Sequence, residues 1–302
     1  MPRPPSLQVF AERPRLSPSG RAVRVDGVVA SAPALSANLA GVADATEHCG
    51  QTGRMSLAAP DTAVPPRVHA LARGAAVTPV WVNRLGGLTF RTDDGRFIKW
   101  GPLNAESSMA DEAARLAWAS GYAAVPRVLE HGVDAGAGGR SHEWLVTAAL
   151  PGESAVAPRW IAEPAVAVRA VGEGLRALHD ALPVDECPFE WSVSSRIANA
   201  AGRGIHVPSR LLDAPPIDRL VVCHGDACCP NTLIGDDGRW SGHVDLGALG
   251  VGDRWADIAV ASMSTEWNYG PGWDAALIEA YGVAPDRERR LTPAAAAPRH
   301  RK

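Results

Sequence analysis

The sequence predicts an α+β fold in which a small antiparallel sheet precedes a mainly helical region. Two observations carry this prediction. Short runs of β-branched and aromatic residues, separated by turn residues, fill positions 78–150. By contrast, residues 164–182 (PAVAVRAVGEGLRALHDAL) repeat apolar side chains at helical spacing. The pair Pro151–Gly152 separates the two patterns, and a joint of this kind commonly forms a ligand cleft.

The sheet is expected to contain five strands and to carry one helix. TPVWVNR, LTFRT and RFIKW are typical of strands, and the turns LGG and DDG join them into a meander over residues 78–100. Residues 104–121 follow with helical spacing, and Gly121 is suited to end that helix. VPRVLEHG (125–132) and EWLVTAAL (143–150) supply the last two strands.

Beyond residue 152 the pattern predicts helices around a few short strands. Pro164 suits the first turn of the helix that carries the apolar stripe. VVCHG, NTLIG and GHVDLG are short strand-like pieces beside turns, and a last helical region runs from about Asp257 to Tyr281. The core of this second region is therefore expected to be a buried helix.

The composition is that of an ordinary globular protein and argues against several functions. Of the 302 residues, 46% are hydrophobic and 21% charged, and the formal net charge is −3. There is no basic excess of the kind that nucleic-acid binding needs, and no apolar run long enough to span a bilayer. Five cysteines, an odd number, argue against a secreted disulfide framework. We expect a cytoplasmic monomer or dimer without nucleic-acid or membrane partners.

Both ends of the chain differ in composition from its middle. Residues 1–65 are rich in Pro, Ser, Ala and Arg with no clear period, which predicts a leader that is disordered or not natively translated. Met55 is an alternative start within it. The run LTPAAAAPRHRK at 291–302 is an atypical basic tail. The sheet region is thus assigned to residues 66–150 and the helical region to 151–290.

The motif HGDACCPN and the hairpin after it carry the candidate chemistry. Asp226 is followed five residues later by Asn231, and fourteen residues after that by Asp245 in VDLG. Phosphoryl transfer from ATP needs a group that accepts or orients the proton of the attacking hydroxyl. It also needs oxygen ligands for Mg²⁺. An Asp and an Asn on one short loop, with a second Asp at the end of a hairpin, supply these groups.

This pattern, H-G-D-x4-N followed by D-L-G, resembles the aminoglycoside phosphotransferase family, relatives of the protein kinases. ECPFEWSVSSRI (186–197) and GVGDRWADIA (250–259) agree with it, and the resemblance spans about residues 78–290. It implies a bilobal protein-kinase-like fold with a five-stranded antiparallel N-lobe and a mainly helical C-lobe. It also implies ATP and Mg²⁺ as cofactors, and a cationic aminoglycoside of the kanamycin or neomycin type whose 3'-hydroxyl receives the γ-phosphate, which confers antibiotic resistance.

The resemblance assigns roles to individual residues. Asp226 is similar to the catalytic base, and Asn231 and Asp245 match the Mg²⁺ ligands. The implied nucleotide-binding residues are Lys99 with its partner Glu112, the turn glycines Gly86 and Gly87, and the joint residues Thr147, Ala148, Ala149 and Leu150. The implied structural supports are His224 and Asp257. The candidate carboxylates for the drug are Glu266, Glu190, Asp274 and Asp213.

Two departures from the family keep alternatives open. Ala248 stands where the 3'-phosphotransferases carry an Arg after DLG, and the basic tail replaces a C-terminal helix with acidic residues. The alternatives are a kinase of the same fold that acts on another small hydroxylated antibiotic or metabolite, and an impaired or non-catalytic nucleotide-binding relative. Cys228 and Cys229 occupy variable positions of the loop and lack the spacing of a zinc site. Phosphoryl transfer is not expected to need them.

Overall fold

The computed structural model describes residues 58–83, 85–104, 108–135, 140–202 and 216–286. Most of the leader predicted at 1–65, the tail predicted at 291–302 and the acceptor candidate Asp213 lie outside these described residues.

Helices and short strands follow one another along the described chain. The helices are α1 (Pro66–Ala72), α2 (Met109–Ala119), α3 (Pro158–Ala162), α4 (Pro164–Ala181), α5 (Val193–Gly202), α6 (Trp255–Tyr269) and α7 (Asp274–Tyr281). The strands are β1 (Val77–Val82), β2 (Leu88–Thr92), β3 (Arg96–Pro102), β4 (Val128–Asp134), β5 (His142–Ala148), β6 (Glu153–Ser154), β7 (Leu220–Cys223), β8 (Thr232–Ile234), β9 (Trp240–His243) and β10 (Gly250–Asp253). Within the described ranges, no helix combines the length and apolarity that a membrane crossing needs.

The first five strands form the antiparallel sheet that the sequence predicts. β1, β2 and β3 are the expected meander, and β5 pairs with both β3 and β4, which gives the order β1-β2-β3-β5-β4. The predicted five-stranded sheet is therefore confirmed. Lys99 lies on the inner strand β3, opposite Thr89 and Leu145, and not on an edge strand, where an exposed lysine is common.

Different helices cover the two faces of this sheet. Neighbouring residues on a strand point to opposite faces. Ile98 packs with Val146 against α1, whereas Leu145, the register partner of Lys99, packs against α2. Lys99 therefore faces α2. The sequence pattern does not predict α1, because its seven residues are too few for a helical period to be recognised.

The buried helix predicted at residues 164–182 is α4. Val168 and Leu175 lie on its buried face. At Gly172 this helix passes so close to α7 that an added Cβ would lie 2.7 Å from Ala280 Cβ. Since only glycine leaves room for that approach, Gly172 brings the two helices together.

The last helical region differs from its prediction. Instead of one region from about Asp257, α6 begins at Trp255, and a break separates it from α7. Gly270 and Gly272 in this break have φ values of +87° and +99°. Between them Pro271 has no backbone N–H to continue the helix. The pattern also does not predict α3, α5 and β10.

The short strands of the helical region position the HGDACCPN loop. β7 pairs with β10 and ends directly before this loop, and β8 pairs with β6 and β9. The hairpin of β8 and β9 returns the chain to the loop, where Val244 N donates to the carbonyl of Asn231 at 2.9 Å. The residue after Val244 is therefore held beside Asn231.

Candidate active site

The loop that follows β7 contains a position that has to be glycine. Gly225 has φ +83°, in the left-handed region that glycine favours. An added Cβ would lie 2.2 Å from the carbonyl oxygen of Ala248, far inside van der Waals contact. The loop therefore packs directly on the backbone that follows VDLG, and Asp226 is the next residue.

Internal hydrogen bonds explain the spacing of five residues between Asp226 and Asn231. The Asp226 carbonyl accepts from Cys228 N at 2.8 Å and from Asn231 Nδ2 at 2.9 Å. Asn231 N donates in turn to the Cys228 carbonyl at 2.9 Å. Because the amide nitrogen of Asn231 is used within the loop, Oδ1 is the atom of this side chain that remains to meet a cation.

The imidazole of His224 is committed to the same loop. Its Nδ1 accepts from the backbone N–H of Asp226 at 3.3 Å, and its Nε2 lies 3.1 Å from the Val244 carbonyl. The acceptor at Nδ1 and the carbonyl at Nε2 together place the proton on Nε2. His224 is fully buried, so it shapes the loop and does not act as a general base.

Asp257 is fully buried and holds the beginning of the loop. Its carboxylate accepts from the backbone N–H groups of His224 at 2.5 Å and Gly225 at 3.0 Å. Its Oδ2 lies 3.0 Å from His179 Nε2. Burial alone would raise the pKa of Asp257, but the hydrogen bond from His179 and the backbone donors hold it below its usual value.

His179 links Asp257 to α7, the last described helix. His179 Nδ1 lies 2.7 Å from the Tyr281 hydroxyl. Burial raises the pKa of Tyr281, so its hydroxyl keeps its proton and donates to Nδ1, while Nε2–H donates to Asp257. His179 lies near the end of the apolar stripe of residues 164–182. Its partner Tyr281 lies 102 residues away, so no local pattern could reveal the link.

Lys99 joins two carboxylates that are far apart in sequence. Its Nζ lies 2.7 and 2.8 Å from the two carboxylate oxygens of Glu112, and 2.7 Å from Oδ1 of Asp245, 146 residues away. Burial would lower the pKa of Lys99, but the two carboxylates raise it above its usual range. The ammonium group therefore stays charged.

Asp245 is the exposed member of this group. Its φ of +65° is unusual for a residue other than glycine and turns the chain directly after β9. The Lys99 ammonium lowers the pKa of Asp245, and the Asp245 side chain is 50% exposed against 9% for Glu112. Of the two carboxylates that contact Lys99, Asp245 is thus the one that an incoming cation can reach.

The glycine turn between β1 and β2 is closed by an asparagine side chain. Asn83 Oδ1 accepts from Leu85 N at 2.9 Å and from Gly87 N at 2.7 Å. Gly86 has φ +81°, and a Cβ on Gly101 would lie 2.8 Å from Gly87 Cα. The turn therefore packs against Gly101 of β3, the strand that also carries Lys99.

The joint after β5 has part of its backbone already engaged. Ala148 N donates to the Arg127 carbonyl and Ala149 N to the Gly95 carbonyl, each at 2.9 Å. Thr147 is buried in the sheet. Of the joint residues that the resemblance assigns to nucleotide binding, Leu150 is left as the candidate that donates through its backbone N–H.

The carboxylates proposed for a cationic acceptor lie in separate elements. Glu266 is exposed on α6, and Glu190 is exposed where the chain forms a single bridge to Val251. Asp274 is half-buried at the start of α7. These three carboxylates stay predictions for the acceptor site.

One group of potential metal-binding side chains lies in the core. His179, Cys223 and Asp257 have ligand atoms within 4.8 Å of one another. However, His179 and Asp257 are hydrogen-bonded to each other, and burial raises the pKa of the Cys223 thiol well above its usual range. A protonated thiol is a poor metal ligand, so this group is interpreted as packed core.

Comparison with known proteins finds one matching family model and several similar phosphotransferases. Residues 88–291 match the model of the phosphotransferase enzyme family. An aminoglycoside 3'-phosphotransferase of Streptomyces fradiae is 36% identical over 214 residues, which are 60% of this chain and 75% of that protein. A streptomycin 3''-kinase of Streptomyces griseus is 35% identical over 247 residues, which are 70% of this chain and 87% of that protein.

Solved structures agree with the sequence relatives. An aminoglycoside-3'-phosphotransferase of type VIII is 29% identical with a TM-score of 0.60, over 76% of this chain and 96% of that one. An aminoglycoside phosphotransferase of Streptomyces rimosus in complex with ADP and streptomycin is 25% identical with a TM-score of 0.57, over 76% and 95%. The predicted bilobal, kinase-like fold is therefore confirmed, and the chain belongs to the phosphotransferase enzyme family.

Proposed function

We propose that this chain transfers the γ-phosphate of ATP to a hydroxyl group of an aminoglycoside antibiotic, with the 3'-hydroxyl of a kanamycin- or neomycin-type drug as the first candidate. The contact of one ammonium group, Lys99 Nζ, with both Glu112 and Asp245 carries the proposal. It brings a lysine of the sheet region and an acidic residue of the helical region to one point, beside the loop of Asp226. Residues 66–150 and 151–290 are the proposed lobes on either side.

Positioning and charge account for most of phosphoryl-transfer catalysis, and the residues of this site suit both tasks. Glu112 fixes the Lys99 side chain through both of its oxygens. Lys99 then presents its charge to the phosphates of the nucleotide. Asp226 orients the acceptor hydroxyl and takes its proton as the new oxygen–phosphorus bond forms, while the bond from the γ-phosphorus to the β-phosphate oxygen breaks and ADP leaves.

The residues around Asp245 fit Mg²⁺. This ion prefers oxygen ligands, and the Asp245 carboxylate and the Asn231 amide oxygen are of that kind. Asp245 is accessible, and the Asn231 amide is oriented by its bond to Asp226. Bound here, Mg²⁺ would neutralise charge on the phosphate oxygens. Asn231 and Asp245 are the residues that would hold it.

A second acceptor has its own support. The relative that matches the longer stretch of this chain is a streptomycin 3''-kinase, and one similar structure contains streptomycin. Ala248 also departs from the Arg of the 3'-phosphotransferases. Streptomycin, phosphorylated at its 3''-hydroxyl, is therefore the second candidate.

Product analysis distinguishes these acceptors. The purified full chain is incubated with ATP, Mg²⁺ and either kanamycin, neomycin or streptomycin, and the products are identified by mass spectrometry and by NMR of the modified hydroxyl. We expect a phosphorylated product with kanamycin or neomycin. A product with streptomycin alone would select the second candidate, and the absence of Asp226-dependent product with every acceptor would refute the proposal.

Replacing Gly87 with Val tests the nucleotide role of the glycine turn. A Cβ at this position would lie 2.5 Å from Asn83 Nδ2, so the side chain that closes the turn has to move. We expect the KM for ATP to rise about tenfold, with kcat within about threefold. Ala117→Val adds similar bulk at an exposed position of α2 and should leave both constants unchanged. An unaltered KM for ATP in Gly87→Val would dismiss the role.

A further inference from the structure

We infer that Cys228 is a positioning residue for Asp226, whose thiol fixes the orientation of the carboxylate that receives the acceptor proton. This inference rests on the proposed function and departs from the sequence-based expectation that neither loop cysteine is needed. Its basis is a single contact, in which Cys228 Sγ lies 3.0 Å from Asp226 Oδ1 with the thiol as donor. An S–H group is a weak donor to neutral acceptors, but an ionised acceptor strengthens a hydrogen bond.

The contact matters because little else in the loop fixes the two carboxylate oxygens. A carboxylate rotates about its terminal bond in a broad, two-fold energy profile. Asn231 Nδ2 donates to the Asp226 carbonyl at 2.9 Å and is 3.4 Å from Oδ2, a long distance for a strong hydrogen bond. With Oδ1 engaged by the thiol, Oδ2 is the oxygen that the acceptor hydroxyl can use.

The backbone delivers the thiol to this position. Cys228 N donates to the Asp226 carbonyl at 2.8 Å, and the Cys228 carbonyl accepts from Asn231 N at 2.9 Å. The next residue, Cys229, is fully buried, and its N–H donates to Ser264 Oγ at 2.9 Å. The loop is thus held on both sides of Cys228, and the thiol is placed by the fold.

The two adjacent cysteines therefore differ in role. Cys229 belongs to the apolar core, together with Trp255 and Ile258, and burial raises the pKa of its thiol to about 12. Cys228 is only half-buried, and its thiol faces a carboxylate. The Cys229 thiol packs in the core beside the hydroxyls of Ser264 and Tyr269, whereas the Cys228 thiol donates to the Asp226 carboxylate.

A series of substitutions at Cys228 tests the donor role. Cys228→Ser keeps a donor, Cys228→Ala removes the group, and Cys228→Val fills the space without a donor. We expect kcat to stay within about threefold in Cys228→Ser and to fall about tenfold in Cys228→Ala and Cys228→Val, as for the loss of one hydrogen bond. The KM for ATP should stay within about threefold, because these substitutions keep the backbone bonds that join Cys228 to Asp226 and Asn231. Cys187→Ala, at a thiol bonded to the Phe189 carbonyl, is the control.

An infrared measurement tests the contact without relying on activity. The S–H stretching band of Cys228 is assigned by subtracting the spectrum of Cys228→Ser from that of the wild type. Asp226→Ala removes the acceptor and should move this band to higher frequency. An unmoved band would overturn the inference, and so would wild-type kcat in Cys228→Ala and Cys228→Val, or a Cys228→Ser variant as slow as Cys228→Ala. A wild-type chain inactive on every acceptor would instead refute the proposed function, and the infrared result would still decide the contact.

Discussion

Replacing Asp226 with Asn is expected to lower kcat by about 10²–10⁴-fold, the usual contribution of a positioned general base. Asn has nearly the same shape as Asp, and its amide oxygen can still accept from the Cys228 thiol. It cannot take a proton from the acceptor hydroxyl at neutral pH. The loss should therefore fall on kcat and leave the KM for ATP within about threefold.

The measurement is steady-state phosphorylation of the preferred acceptor, with thermal unfolding of each variant to verify folding. Asp236→Asn is the matched control, because the side chain of Asp236 is fully exposed on the hairpin between β8 and β9. It should retain wild-type kinetics. A kcat for Asp226→Asn within about threefold of the wild type would exclude Asp226 as the base.

Replacing Asp257 with Asn is expected to lower the free energy of unfolding by about 3–5 kcal/mol, as when one partner of a buried charged group is removed. The carboxylate meets three donors, from His224, Gly225 and His179. An Asn side chain would turn an N–H₂ group towards at least one of them. The loop of Asp226 should loosen at the same time, so that kcat also falls.

The Asp257 effect has a defined pH dependence. Its folded-state pKa is lowered, so its stabilisation is present above the unfolded value of about 3.9. It is lost as the pH falls through the folded-state pKa. In urea titrations the difference in the free energy of unfolding between wild type and Asp257→Asn should be largest at neutral pH and should shrink in acid. A constant difference down to the acid transition would contradict the assignment.

Tyr281→Phe extends the same test by one hydrogen bond. It leaves the buried Nδ1 of His179 without its donor, and such a group costs about 1–3 kcal/mol. We expect the free energy of unfolding to fall by less than it does in Asp257→Asn. The free energy of unfolding of Asp236→Asn should remain within about 0.5 kcal/mol of the wild-type value, as is usual for surface substitutions.

The parts of the site that the sequence predicts well are those with local spacing. Asp226 and Asn231 share one short loop, and a hairpin returns the chain to Asp245, so their proximity follows from turns that can be read in order. The strand pattern around Lys99 likewise predicts its place on the third strand of the meander, and the pairing with β5 makes that strand an inner one. In each case neighbours in the sequence fix the geometry.

Contacts between distant segments could not be predicted in this way. The bond between His179 and Tyr281 depends on how α4 packs against α7. The thiol of Cys228 reaches Asp226 only two residues away, but through a loop conformation that backbone hydrogen bonds hold. α1 is too short to show a period. These features depend on packing and backbone geometry that no single stretch of sequence contains.

We expect the carboxylates around the Lys99 ammonium group to act as an electrostatic filter for the proposed nucleotide. The Lys99 ammonium group contacts the carboxylates of both Glu112 and Asp245, so acidic groups outnumber basic ones at this contact. We expect free ATP, a polyanion, to be repelled, whereas the Mg²⁺ complex would bring its own positive charges to Asp245. The enzyme should therefore select the metal complex of the nucleotide, and excess free ATP should compete with it only weakly.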